Sequence, residues 1–292
     1  MQVRAKKHLG QHFLTDKKIA RRIADGLNPS GRYATVLEIG PGKGILTDWL
    51  LQHEDYKLYA VDVDQESIVF LHDKYPDHAA NMVLADFLKL DISTLFVEDF
   101  AVIGNFPYNI SSQILFKVLE ERSRVPELVG MFQKEVAERI CASPSSKEYG
   151  ILSVLVQAFY KTSYLFTVNP GSFFPAPKVK SGVLKMVRRE NFTLDCDEKL
   201  FFKIVKAGFN QRRKMLRNAL ASVAAVAVPD DLPFANRRAE MLSVAEFVEL
   251  TQFFMAHKAD ADSFGDVGPD VDEDLAVKDD DPFNLDYLSE SE

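Results

Sequence analysis

Thr-Val-Leu-Glu-Ile-Gly-Pro-Gly-Lys-Gly, residues 35–44, decides the fold class. Thr35 to Ile39 form a short apolar strand candidate that breaks into a turn at Gly40, Gly42 and Gly44, where glycine permits positive φ and close approach of backbone to a ligand. A helix-compatible run, Ile45 to Gln52, follows. Strand, glycine turn and helix in that order open a Rossmann-like α/β sheet. The spacing is Gly-x-Gly-x-Gly, which disfavours the pyrophosphate of a nicotinamide or flavin and suits a nucleoside that carries an amino acid.

Working outward, a second strand is expected over Lys57 to Val61, ending at Asp62, about 20 residues past the glycine turn, where such folds place an acid on ribose hydroxyls. A third, Met82 to Ala85, ends at Asp86, and a fourth, Phe100 to Gly104, delivers Asn105. Four successive strands thus carry polar residues at their C-terminal ends, which is where open α/β sheets bind ligands.

The fourth strand runs into Asn105-Phe106-Pro107-Tyr108. An amide oxygen and a neighbouring backbone carbonyl can accept both hydrogens of one exocyclic NH2, proline stiffens the turn, and tyrosine offers a stacking face. Adenine N6 fits that clamp. Its lone pair is delocalised into the ring, and two acceptors would bias the nitrogen toward a pyramidal shape with the lone pair aimed at an electrophile. Taken alone, the same four residues also make an ordinary strand-ending turn.

Further strands are expected at Glu127 to Phe132, Ser163 to Val168 and Gly182 to Arg188, giving seven, with the last two as an antiparallel hairpin at the sheet edge. Helices are expected at Asp16 to Leu27, capped by Thr15 or Asp16, at Ser111 to Glu121 and at Tyr149 to Tyr160. After about residue 190 the pattern becomes short helical runs, 198–208, 211–224 and 244–256, with a proline-containing break at 229–233. The expected organisation is a ligand-binding domain over 1–190, a small helical domain over 191–258 and an acidic tail over 259–292.

The formal net charge of −8 divides unevenly. Residues 259–292 hold 13 acids and one lysine, whereas the preceding residues carry a net charge of +4. The tail has the composition of a disordered segment, either a solvated solubility tail or a salt-sensitive competitor for a basic surface. Arg212, Arg213, Lys214 and Arg217, with Lys203 and Lys206 nearby, form either a solvated face or a phosphate-contacting one. Cys141 and Cys196 lack the paired spacing of a zinc site, and no metal is expected. No apolar stretch approaches the roughly 18 residues of a membrane span, and the basic start MQVRAKKHLGQHFL has no apolar run of a secretory signal, so a cytoplasmic location without membrane partners is expected.

With these motifs in place, the chain resembles the S-adenosylmethionine-dependent ribosomal RNA adenine N6,N6-dimethyltransferases of the small subunit. The resemblance runs from Gln11-His12-Phe13-Leu14 through Glu38 to Gly44, Asp62, Asp86 and Asn105 to Asn109. It continues through FFPAPKV at 173–179 and FNQRRK at 209–214, and so covers most of the first 258 residues. It implies that His12, Leu14, Gly40, Gly42, Asp62, Asp86 and Asn105 bind the cofactor and that Asn105, Phe106, Pro107 and Tyr108 hold the target base. Phe174, Lys178, Arg212, Arg213, Lys214 and Arg217 would meet RNA, with Phe173 and Phe174 helping to close the pocket. The family often has Asn at the position of His12 and Glu at that of Asp62. The implied activity is dimethylation of two adjacent adenosines near the 3′ end of small-subunit (16S) ribosomal RNA by a monomer, with a role in subunit biogenesis. Two other readings stand beside it: a large-subunit adenine methyltransferase of the antibiotic-resistance type, and a non-catalytic ribosome-assembly relative.

Overall fold

The structure, a computed structural model, describes residues 3–221 and 228–257. A two-residue strand β1 (Phe13–Leu14) precedes helix α1 (Lys17–Ala24), and β2 (Thr35–Ile39) leads through the glycine turn into α2 (Thr47–Leu50). Then come β3 (Lys57–Asp62), α3 (Gln65–Lys74), β4 (Met82–Leu84), β5 (Phe100–Asn105), α4 (Ser111–Glu120) and β6 (Glu127–Gln133). Helices α5 (Lys134–Cys141) and α6 (Ile151–Phe159) are followed by β7 (Tyr160–Val168), β8 (Phe173–Phe174) and β9 (Ser181–Arg188). Helices α7 (Glu198–Asn210), α8 (Leu216–Ala221) and α9 (Val244–Ala256) complete the described elements.

Seven strands form one sheet in the order β4-β3-β2-β5-β6-β9-β7. The strands from β4 to β6 are mutually parallel, and β9 runs antiparallel to β6. Parallel strands are covered on both faces, which explains their nearly continuous apolar sequences. Val36, Ala101, Ile103 and Val129 lie on one face and pack with Ala20, Ile23 and Ala24 of α1 and Leu46 and Leu50 at α2. Each valine, isoleucine or leucine among them, fully removed from water, contributes roughly 1.5–3 kcal/mol. Asp16 caps α1 by accepting from the Lys18 and Ile19 amides. The helix is shorter than its apolar spacing suggests, because the Gly26 amide turns back to the Ile23 carbonyl. A second, two-stranded sheet pairs β1 with β8 antiparallel, setting Phe13 opposite Phe174. The sequence gives no hint of that pairing.

By compactness the described residues divide into two units, one comprising those through Glu138 with Lys161–Arg188, the other Arg139–Tyr160 with the described residues from Arg189 onward. Relative to a single cut at residue 190, the segment Arg139–Tyr160 changes sides. In the helical unit α6 is buried almost throughout, and the Tyr149 hydroxyl donates to the Leu242 carbonyl at 2.9 Å. Helices α7 and α9 meet through Phe209 and Phe247, whose rings stack 6.0 Å apart. The continuous helix expected over 211–224 does not form. Gln211 leaves helical geometry at φ −118° and ψ 49°, and the amides of Leu216 and Arg217 donate to the carbonyls of Arg237 and Ala235. Those donors are lost to a helix ladder, so the chain turns at 211–214 and resumes as α8. Residues 222–224 of that expected helix and the acidic segment 259–292 lie outside the described residues.

The sheet also builds a seat for one aromatic ring. Gly104 and Gly130 are partners across β5 and β6, and a Cβ at either would lie 2.6 or 2.3 Å from the Phe106 ring. Phe106 is 1% exposed and meets Phe132 edge-on, with centroids 5.1 Å apart. Gly130→Ala should therefore overpack this seat and destabilise the protein by about 1–3 kcal/mol. A thermal melt checks this; an unchanged midpoint would show that the Phe106 ring is free to move aside.

Candidate active site

The C-terminal tips of β2, β3, β4 and β5 open onto one cavity of about 220 Å³. Its walls include Gly40, Gly42, Asp62, Asp86 and the run Asn105 to Tyr108, and the N-terminal segment from His8 to Phe13 forms the front. Four separate strand ends and His12 are thus brought together. Leu14 is different: it is 4% exposed, packs in the core and is not among the residues lining the cavity.

Asn105 is the best-defined polar group. Its Nδ2 donates to the His12 carbonyl at 2.9 Å. A carbonyl oxygen only accepts, so this bond fixes the orientation of the amide and leaves Oδ1 as the acceptor. The His12 ring stacks on Tyr108 with centroids 5.6 Å apart, and its Nδ1 bonds the Pro175 carbonyl at 2.8 Å. Tyr108 shares a 2.7 Å hydrogen bond between its hydroxyl and Ser181 Oγ. Burial raises the Tyr108 pKa, an effect the Ser181 bond only partly offsets, and the phenol stays neutral.

The glycine turn and two carboxylates form the other side. Gly40, Gly42 and Gly44 all have positive φ, as their spacing predicts. At Gly42 a Cβ would meet the Phe13 ring at 2.8 Å, whereas at Gly40 the nearest atom is Pro107 Cδ at 3.9 Å, which leaves room beside its backbone. Asp62, 7% exposed, accepts from the Gly42 amide at 3.3 Å and the Asp64 amide at 2.9 Å. Burial outweighs those two bonds and pushes its carboxyl up to about 6. Asp86 accepts from the Leu88 amide at 3.0 Å, and its other oxygen lies 3.6 Å from Lys89 Nζ.

Two further buried acids, Glu38 in β2 and Asp64 just after β3, are not singled out as site residues by the sequence. Glu38 is 1% exposed and accepts from the Thr47 hydroxyl at 2.7 Å. Burial, only partly offset by Thr47, pushes its carboxyl up to about 8, with Asp62 adding repulsion. Asp64 accepts from Lys6 Nζ at 2.6 Å, Gln11 Nε2 at 3.3 Å, the Glu66 amide at 3.0 Å and the Ser67 hydroxyl at 3.2 Å. Burial works against its charged form, but the bonds from Lys6, Gln11 and Glu66 together hold its carboxyl below the usual range. Val63 and Leu88 also line the cavity. Each follows a strand-tip acid within two residues, a positional cue the sequence does carry.

The residues assigned to RNA fall into distinct environments. Phe174, at the end of β8, is 71% exposed, and Lys178, in the segment after it, is exposed. Phe173, by contrast, is buried in the core, so the pair does not act together in closing a pocket. In the helical unit Arg212 is held by Glu240 at 2.6 Å and the Lys147 carbonyl, and Arg217 by Asp230 at 3.3 Å. Arg213 and Lys214 are exposed on the turn between α7 and α8. The four cations therefore do not share one helical face. Among the described residues no group of three His, Cys, Asp or Glu could hold a metal ion, and no helix is long and apolar enough to cross a membrane.

Comparison with known proteins agrees with this geometry. The ribosomal RNA adenine dimethylase family model matches residues 2–255. The ribosomal RNA small subunit methyltransferase A of Cytophaga hutchinsonii is 56% identical over 249 residues, covering 85% of this chain and 96% of that protein. A dimethyladenosine transferase from Plasmodium falciparum superposes with a TM-score of 0.71 at 26% identity, over 85% of this chain and 98% of the other. The 23S rRNA methyltransferase ErmE gives 0.62 at 25% identity, over 82% and 99%. The Rossmann-like sheet, the strand-tip cavity and the match across nearly the whole described chain lead to one assignment: this protein belongs to the ribosomal RNA adenine dimethylase family.

Proposed function

We propose that this protein transfers methyl groups from S-adenosylmethionine to N6 of two adjacent adenosines near the 3′ end of small-subunit ribosomal RNA, as a monomer acting in the cytoplasm during subunit biogenesis. The observation that carries this is the Asn105 amide, turned by the His12 carbonyl so that Oδ1 is the acceptor at the wall shared with Asp62. The Cytophaga relative is a small-subunit methyltransferase by name and is matched over 96% of its own length, which favours that RNA over the large-subunit substrate named for ErmE. An intact acceptor at Asn105 favours catalysis over a purely architectural role.

The residues present fit the cofactor. Asp62 is a buried carboxylate whose two backbone donors leave its pKa raised, so hydroxyl donors from a ribose would stabilise its charge. Asp86 would accept from the adenine amino group of the cofactor, while Val63 and Leu88 offer apolar surface to its ring, and the open side of Gly40 admits its amino-acid part. His12 would contribute from the front wall, whereas buried Leu14 would act by packing behind that wall. When bound, the cofactor supplies an electrophilic methyl group on a sulfonium.

The chain's own part is positioning. Asn105 Oδ1 and the Phe106 carbonyl accept the two N6 hydrogens, Pro107 holds the turn, and Tyr108 stacks on the flipped base. The methyl transfer itself is chemistry the bound cofactor would supply; the part of these residues would be to hold the N6 lone pair toward it, with the displaced N6 proton released to solvent. Fixing the reactants in this way is worth roughly 7–11 kcal/mol, enough for a reactive electrophile without a dedicated base. The exposed Phe174 and Lys178, and Arg213 and Lys214 in the helical unit, would contact flanking RNA; Arg212 and Arg217 would contribute only if their ion pairs opened.

Mapping N6-dimethyladenosine in ribosomal RNA from cells with and without the protein tests the assignment. Loss of the paired marks near the small-subunit 3′ end is expected, and loss of a large-subunit mark instead would overturn it. Asn105→Ala should lower turnover roughly 10²-fold while changing cofactor affinity far less, since the acceptor orients the nucleophile; equal losses in both would reject that role. Ribose hydroxyls bind the ionised form of Asp62, so binding releases a proton below the free pKa. Affinity for S-adenosylhomocysteine should be flat above about pH 6 and fall below it, by up to about tenfold per pH unit for one proton. Calorimetric titrations across pH 5 to 8 check this, and an unchanged profile in Asp62→Asn would remove Asp62 as the source.

A further inference from the structure

Dimethylation sets a problem that the Asn105 clamp does not solve by itself. The first transfer acts on an amine with two hydrogens, one for each acceptor, but the second acts on an amine that has only one left. Orientation of the monomethylated base then depends more on what holds its ring. In the proposed pocket that is Tyr108, so whatever fixes the tilt of Tyr108 bears on the second transfer more than on the first.

The structure shows what fixes it. Tyr108 begins a three-residue 3-10 turn, Tyr108–Ile110, with no side-chain cap at its start. One face of its ring is stacked by His12, and its hydroxyl meets Ser181 Oγ at 2.7 Å. Ser181 is 0% exposed and opens β9, in register with Gln133 of β6. The backbone on both sides of it is immobilised: the Lys180 carbonyl accepts from the Lys134 amide at 2.9 Å, and Gly182 is packed so closely that a Cβ there would lie 2.8 Å from Ala137 and Tyr164. The turn is thus tied to the sheet through one part-buried oxygen–oxygen hydrogen bond.

We propose that Ser181 is a positioning residue which, by holding the Tyr108 hydroxyl, sets the stacking plane for the target adenine and favours the second methyl transfer over release of the monomethylated product. This rests on the adenine-dimethyltransferase reading above. The roles are separate: Asn105 and Phe106 address the nitrogen, whereas Ser181 acts only through Tyr108 on the ring.

The test uses the full chain, S-adenosylmethionine and small-subunit particles lacking the modification, with mono- and dimethyladenosine quantified by mass spectrometry over time. Ser181→Ala should slow the second transfer by about three- to tenfold, the worth of one neutral hydrogen bond, slow the first less, and so accumulate monomethyladenosine. Ser181→Thr, which keeps the hydroxyl, should restore the product ratio. Tyr108→Phe keeps the ring but loses the tether, so it should reproduce the Ser181→Ala ratio, and the double variant should be no worse than either. Should Ser181→Ala slow both transfers equally, or the double variant show the product of the two single effects, Ser181 is not the tether and the proposal fails. If Ser181→Ala is too unstable to assay, the Tyr108→Phe ratio decides: an unchanged ratio overturns the proposal and a shifted one upholds it. A wild-type protein that makes no dimethyladenosine rejects the underlying enzymatic reading instead.

Discussion

One hydrogen bond, from the amide of Asn105 to the carbonyl of His12, joins two parts of the chain 93 residues apart and gives the cavity its polarity. Without it the amide could present either its oxygen or its nitrogen to a ligand; with it the choice is made by main chain. The sheet delivers Asn105 at the end of β5, and the front segment supplies the carbonyl. The same His12 then stacks on Tyr108 and reaches Pro175, so a single residue links the clamp, the stacking ring and the segment after β8.

Much of the sheet was legible in the sequence because parallel strands are buried on both faces and read as uninterrupted apolar runs. Strands β2 to β5 end within a residue of where polarity returns, and Asp62, Asp86 and Asn105 stand at or just beyond those ends. The three positive-φ glycines were legible for the same reason: few other residues tolerate that geometry at consecutive alternate positions.

What the sequence left obscure is set by partners distant along the chain. Leu216 and Arg217 belong to a run with good helical character, yet their amides are claimed by residues near 235–237, and the helix breaks. Arg212 looks like a free cation until Glu240, 28 residues on, is seen beside it. Phe173 and Phe174 are adjacent and chemically identical, but strand alternation sends one to the core and the other to water. Helix α6 carries an apolar sequence that would suit either unit, and only the burial around Tyr149 and Leu242 places it. The Asp64 bonds to Lys6 and Gln11 were equally invisible, since nothing in a local pattern joins residue 64 to residue 6.

That last arrangement separates two kinds of enclosure. Between Val3 and Leu14, both buried, no side chain is fully withdrawn from solvent. Besides the His12–Tyr108 stack and the β1–β8 pairing, the stretch is retained by polar attachments: Lys6 and Gln11 on Asp64, and the His12 carbonyl on Asn105. Such bonds are exchanged for bonds to water at a net expense of only about 0.5–1.5 kcal/mol each, somewhat more where a charge takes part, whereas extracting an apolar side chain has no such compensation. The front of the cavity is therefore fastened mainly by polar bonds between two buried apolar residues, while its back is made of strand ends.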